Sequence, residues 1–221
     1  KGDDDPRAYR QVARMLKPGE YEFGKAMLIR SVYSERQLLE MVVAFWMNHF
    51  FVGRSSEVPT QDYEERVIRP RALGKFEDML KATAQHPSMV QYLDNSQSGA
   101  PIEVIQQRLN ASLRPTLSGP ERRVLRQTAM SVREFKGLNE NYARELMELH
   151  TLGVEGGYTQ QDVIQVAKCF TGWTVTEWDE NGARRPDKFV FSPLLHESGD
   201  KVVLGKTIKS GGMEEGMQVL T

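Results

Sequence analysis

Apolar positions recur at helical spacing up to Gly172, and beyond it the chain takes on the β-branched and aromatic texture of strands. Pro6–Leu16 and Glu20–Arg30 read as short helices on either side of a Pro18-Gly19 break. Ser34-Glu-Arg-Gln37 has the form of a capping box, in which a serine hydroxyl and a glutamine amide satisfy backbone groups at a helix start. In the helix it opens, Leu38, Val42, Phe45 and His49 fall within one arc at about 100° per residue, and Leu39, Val43, Trp46 and Phe50 form a second arc beside it. A helix apolar over so much of its circumference is expected in the middle of a fold. Gln61–Ile68 and Lys75–Gln85 read as two more helices, separated by Arg69-Pro70 and Gly74. Pro87 suits the first position of the next, which turns Met89, Val90 and Leu93 inward.

Asp94–Pro101 is a loop by composition, Ile102–Leu113 a helix, Pro115–Pro120 a second loop, and Arg122–Arg133 a weakly helical, solvated basic face. Asn139–Leu152 is a helix closed by Gly153. Thr159–Asp162 then caps another, which carries Val163, Val166, Ala167 and Phe170 on one face and ends at Gly172. Trp173–Trp178, Lys188–Phe191 and Val202–Ile208 have strand composition, and Asn181-Gly182 is a hairpin signal. The expected fold is mainly α: one multi-helix domain with a small β-hairpin or three-stranded element near the end. Its helical body spans residues 1–172, its β element 173–210, and the opening of a further helix 211–221. Both ends read as cut, so the chain is expected to be a fragment.

Composition narrows the classes rather than choosing one. An apolar fraction of 39% and a charged fraction of 27% over 221 residues fit an ordinary globular domain. A net charge of −1 gives no global attraction to nucleic acid, and no apolar run approaches the roughly 18 residues of a membrane span. Arg66, Arg69, Arg71 and Lys75 cluster without the aromatic platform that nucleic acid needs. One cysteine, Cys169, rules out an internal disulfide and any multi-thiolate zinc site, and its apolar setting marks it as inert.

The strings FWMNHF (Phe45–Phe50), IRPRALGKFEDML (Ile68–Leu80), QHPSMVQYLDNSQS (Gln85–Ser98), GLNENYARELMELHTLGVEGGYTQQDV (Gly137–Val163), FTGW (Phe170–Trp173) and HESGDKVVLG (His196–Gly205) occur in that order. Together they closely resemble the bacterial domain-of-unknown-function family 1800. The similarity runs from about Ser34 to the end and is weakest across Gly99–Glu134. The resemblance implies a longer parent protein and an extracytoplasmic location, periplasmic or secreted. It also implies a co-encoded exported partner from domain of unknown function 1501. It brings no reaction, cofactor or catalytic residue. One departure is visible: His196-Glu197 stands where the family commonly reads His-Asp, which puts in doubt any role needing the shorter carboxylate.

Within Asn139–Leu152, Asn141, Glu145 and Glu148 share one face, and Tyr142, Leu146 and Leu149 make the adjacent apolar stripe. Two carboxylates three residues apart suit a hard cation or an acid–base pair, and equally suit a charged helix surface, where Arg144 would pair with Glu148. His150 projects about 140–160° from both glutamates on a straight helix, so it cannot complete a triad with them. As a last-turn histidine it complements the helix dipole. The distant partner of the glutamates is then His49, as base or ligand, and the plain alternative is a buried histidine bonded to a carbonyl.

Two functions follow. One is a metal-assisted or acid–base, hydrolase-like enzyme. It uses His49, Glu145 and Glu148 on substrate or a divalent metal, with Asn139, Asn141, Arg144, His150 and His196 as binding residues. The other is a non-catalytic scaffold for a co-encoded protein. His86, beside Pro87, reads as loop-fixing.

Overall fold

The chain runs through helices α1 (Pro18–Tyr33) and α2 (Gln37–His49), then α3 (Thr60–Tyr63), a π turn (Glu64–Ile68) and α4 (Arg69–Arg71). Next come α5 (Phe76–Ala84), α6 (Pro87–Tyr92), α7 (Ile102–Ser112) and α8 (Asn141–Glu145), the last continued by a second π turn (Leu146–Thr151). Helix α9 (Gln160–Phe170) precedes strands β1 (Trp173–Val175), β2 (Phe189–Phe191), β3 (Lys201–Val203) and β4 (Lys206–Ile208), and α10 (Met213–Val219) follows them. This computed structural model describes residues 18–53, 59–112, 137–176 and 187–221. The expectations for Pro6–Leu16, Pro115–Pro120, Arg122–Arg133 and the Asn181-Gly182 turn lie outside those residues.

The architecture is mainly α, with small β elements after Gly172. β1 pairs antiparallel with β2, Trp173 opposite Phe191, and β3 pairs antiparallel with β4, Lys201 opposite Ile208. Val202–Ile208, expected as one strand, is therefore part of a hairpin. Leu204 and Gly205 reverse the chain at φ 50° and 78°, the left-handed geometry of a tight two-residue turn.

One core joins α2, the α3–α4 stretch, α5, α6, α8 and its π turn, α9 and the β3–β4 hairpin, with Phe50, Tyr63, Ile68, Phe170 and Trp173 fully enclosed. A smaller cluster seats Ile105 and Leu109 of α7 on Leu195. Helix α9 follows its sequence signals closely. The Thr159 hydroxyl accepts the Asp162 N–H, Asp162 accepts the Thr159 N–H at 2.9 Å, and Val163, Val166, Ala167 and Phe170 are all buried.

Helix α2 is a half-core helix rather than a central one. Its second arc faces in, with Val43 and Phe50 buried, but Leu38 is 69% exposed and Phe45 59%. Its start differs too: the helix begins at Gln37, the Gln37 amide donates to the Ser34 carbonyl, and the Ser34 hydroxyl donates to Glu40.

The Arg69-Pro70 pair does not end a helix as expected. Proline cannot donate to the ladder. The π turn ahead of it, with the Arg69 N–H reaching back to the Glu64 carbonyl, carries the helix through to Arg71.

Candidate functional site

The Asn139–Thr151 segment begins as a polar anchor. Asn139 Oδ1 accepts the Asn141 N–H at 2.8 Å, the Asn139 N–H donates to Ser98 Oγ at 3.1 Å, and the Asn141 amide donates to the Leu93 carbonyl at 3.4 Å. Both asparagines thus fix the helix start to the loop after α6. Arg144 pairs with Glu140 at 3.1 Å and donates to Gln160 Oε1 at 2.9 Å, so the expected Arg144–Glu148 pair is not the one formed.

The π turn then changes which residues face the core. A straight α-helix would bury Leu149 with Tyr142 and Leu146. Instead Tyr142, Leu146, Met147 and His150 are buried, and Leu149 is 57% exposed. The wider turn slips the inward stripe by one position, from Leu149 to His150. Burial, and secondarily His49, pushes the His150 imidazole down to about 4, so it is neutral at pH 7.

His49 meets this turn through the backbone. Its Nε2 lies 3.0 Å from the His150 carbonyl oxygen, and a carbonyl only accepts, so Nε2 carries the proton and donates. Phe45, Trp46, Phe50 and Phe76 surround the ring. The bond to a carbonyl matches the plain expectation for His49, although the residue is half-buried rather than buried. Glu145 and Glu148 are half-buried and charge-coupled to each other. Burial first, then Glu148, raises the Glu145 carboxyl above its ordinary range against the opposing pull of Arg144. Among the described residues, no three or more His, Cys, Asp or Glu side chains converge as metal ligands would. The expected His49–Glu145–Glu148 ligand set is therefore not assembled, because His49 is bonded at the last turn.

Two buried charge networks were not foreseen. Glu64, wholly enclosed, is held through one oxygen by Arg30 at 3.1 Å and Arg69 at 2.7 Å, and Arg69 forks onto Glu40 at 3.0 and 2.8 Å. That bidentate bond, more than any other cause, holds the Glu40 carboxyl below its ordinary range. The basic cluster is thus partly paired within the chain, while Arg66 and Lys75 stay exposed. Arg69 is paired in this way, Arg66 pairs with Asp62 at 2.7 Å, and Arg71 donates to the Arg66 and Val67 carbonyls.

The second network centres on Glu215. Lys201 lies 2.5 Å from its Oε2, and the His196 Nε2 and the Gly211 and Gly212 N–H groups reach Oε1 at 3.1, 2.8 and 3.1 Å. Burial alone would raise the Glu215 carboxyl, but Lys201, the Gly211 N–H and His196 outweigh it and hold it below its ordinary range. His196 Nδ1 faces the Thr171 carbonyl at 2.9 Å. This expected binding residue is 6% exposed and works as an internal clamp between α9, the β3–β4 hairpin and α10. His86 is likewise structural, accepting the Ser88 N–H and meeting Asp62 at 3.2 Å. Cys169 is buried, and burial pushes its thiol up to about 12. Strand alternation could have found Lys201, which shares an inward face with Val203 while Val202 points out. Nothing local marks Glu64 or Glu215.

With this geometry in hand, the comparison with known families is decisive: the model described as "Protein of unknown function (DUF1800)" matches residues 6–221. The chain belongs to the DUF1800 family. No curated protein and no solved structure matches it. In this DUF1800 chain the longer Glu197 side chain, where the resemblance leads one to expect aspartate, ion-pairs with Lys168 at 2.7 Å, and its N–H donates to Thr171 Oγ1.

Two further features of the DUF1800 chain are open to solvent. An apolar cleft of about 250 Å³ lies beside the second π turn, lined by Leu80, Leu146, Met147, Val166, Val203 and Leu220, with Glu77, Thr151 and Thr221 as its polar groups. The other is α1. No apolar side chain of this helix belongs to the core or packs against it among the described residues, although it carries Leu28, Ile29, Val32 and Tyr33, exposed by 58–79%. Leu38, Met41 and Phe45, at helical spacing on the next helix, are exposed by 59–71%. No helix is long and apolar enough to cross a membrane among the described residues.

Proposed function

We propose that this DUF1800 chain is a non-catalytic assembly module that acts by protein–protein contact through α1 and the outer face of α2. One observation carries the reading: α1, rich in large apolar side chains, has none of them in the core. Contiguous exposed apolar surface of this kind marks an interaction site. The resemblance supplies a co-encoded exported protein of domain 1501 as one partner, and an extracytoplasmic location belongs to the same proposal. The double substitution Leu28→Asp with Val32→Asp tests it. Both side chains are exposed, so circular dichroism and thermal stability stay close to wild type, while light scattering after gel filtration loses the complex that the wild type forms. If the wild type assembles neither with itself nor with the co-encoded protein, the reading fails.

A second reading has its own support. Glu145 and Glu148 are half-buried without an ion pair among the described residues, and a raised Glu145 carboxyl beside the Glu148 side chain is the arrangement of an acid with its base. It predicts hydrolysis of some member of a chromogenic ester, phosphate and glycoside panel, abolished by Glu145→Gln and by Glu148→Gln. Wild-type inactivity across the panel counts against it, as does a stoichiometric metal that both variants retain.

A further inference from the structure

We infer that His49 and His150 together form a binding site for one cuprous ion, held two-coordinate between the imidazole rings. The inference rests on neither reading above: it uses no side chain of α1 and neither glutamate of the Glu145–Glu148 pair.

The tautomer of His49 is the first argument. Its Nε2–H donates to the His150 carbonyl at 3.0 Å, which leaves a lone pair on Nδ1. Metal-binding histidines are arranged in this way: one nitrogen donates to a backbone carbonyl, fixing the ring and raising the basicity of the other. Burial keeps His150 neutral at pH 7, and its ring makes no hydrogen bond among the described residues. It therefore offers a lone pair with no proton to expel from an imidazolium and no partner to displace.

Separation is the second argument. The two ring centres stand 6.2 Å apart. With a metal–imidazole bond of about 2.0 Å and about 1.1 Å from nitrogen to ring centre, two rings in line on one ion stand roughly 6.2 Å apart, and roughly 5 Å apart at the tetrahedral angle. The observed spacing suits a linear, two-coordinate ion. Cu(I), soft and closed-shell, takes two imidazoles in that way, whereas zinc seeks four ligands. The surroundings agree, since no third His, Cys, Asp or Glu joins the pair among the described residues. Phe45, Trp46, Phe50 and Phe76 wall the His49 ring, and Phe50 also lies 5.1 Å from the His150 ring centre. Such walls hold off the oxygen ligands that harder ions require.

Titration of the whole chain with Cu(I), under anaerobic reducing conditions and against a chromogenic cuprous chelator, tests the inference. X-ray absorption on the loaded protein is the second readout. The expected result is one equivalent of copper on two nitrogen ligands, with a drop in fluorescence from Trp46, whose ring centre is 5.5 Å from that of His49. His49→Gln, which keeps an N–H donor for the carbonyl, and His150→Leu each weaken binding by about tenfold or more. Zn(II) binds far more weakly than Cu(I). Copper with sulfur neighbours, or copper held as tightly by both variants as by the wild type, is adventitious and overturns the inference. A wild type that takes up none overturns it as well, and so does Zn(II) binding as tight as that of Cu(I), which calls for a larger ligand set.

Discussion

Lowering the pH from 7.5 to 5 sets the proton affinity of one buried ring against that of the unfolded chain. His150 is 7% exposed, and burial brings its imidazole from an ordinary 6.5 down to about 4. Between those two values the unfolded chain binds a proton at this position and the folded chain does not, so stability rises with pH across the interval and falls as pH is lowered through it. Above pH 6.5 the contribution is complete, and below about 4 it is fully lost. At ~1.36 kcal/mol per pH unit the full loss is about 3 kcal/mol, of which about 2 kcal/mol falls between pH 7.5 and 5. That upper window matters because the lowered carboxyls of Glu40, Asp162 and Glu215 titrate beneath it. His86, also lowered by burial, adds a contribution of the same sign. A control is therefore needed, and His150→Leu provides one, since the only hydrogen bond at this residue that reaches His49 comes from its backbone carbonyl. Urea unfolding followed by tryptophan fluorescence at both pH values is the assay. With m near 2–3 kcal/mol/M, the wild-type midpoint drops by roughly 1 M, and His150→Leu loses most of that drop. If His150→Leu keeps the full wild-type pH dependence, the imidazole is not buried neutral and the π-turn register is wrong.

The same register distinguishes two leucines: Leu146→Ala costs ~2–5 kcal/mol of unfolding free energy, whereas Leu149→Ala changes it by no more than about 0.5 kcal/mol. Lys201→Met strands the enclosed Glu215 carboxylate and destabilises by ~3–5 kcal/mol. Adding Glu215→Gln recovers part of the loss, a double-mutant coupling measurable by chemical denaturation. Gly216→Ala places a methyl 2.6 Å from Trp173 Cζ2 and 3.0 Å from Phe170 Cε1. Overpacking of this kind lowers the melting temperature by an amount equivalent to ~1–3 kcal/mol in calorimetry.

Legibility of the fold in the sequence depended on how local each signal was. Thr159, Asp162 and the stripe from Val163 to Phe170 lie within a few turns of one another, and every part of that reading is realised in α9. The helix Leu146–Thr151 defeated the same reasoning because a helical wheel assumes a constant turn, and a π turn breaks that assumption by one residue. The exchange of Leu149 for His150 follows from it. Pro70 reads locally as a helix terminator, whereas the π turn ahead of it carries the helix on to Arg71. At the site level, His49 meets the His150 carbonyl, a contact between residues 101 positions apart that no local window contains. Lys201 and Glu215 meet across two elements, and Glu64, Arg69 and Glu40 across three, so their pairing is a property of packing that no short window contains.

Arg30 fastens α1 to the body through a carboxylate that is itself enclosed, while the apolar side chains of the same helix contribute nothing to the core. The helix should therefore open as a separate cooperative unit, at a free energy well below that of the whole fold. Its amide hydrogens would exchange, and its backbone would be cut by a protease, before those of α9. Occupying its apolar face would merge that unit with the rest of the molecule.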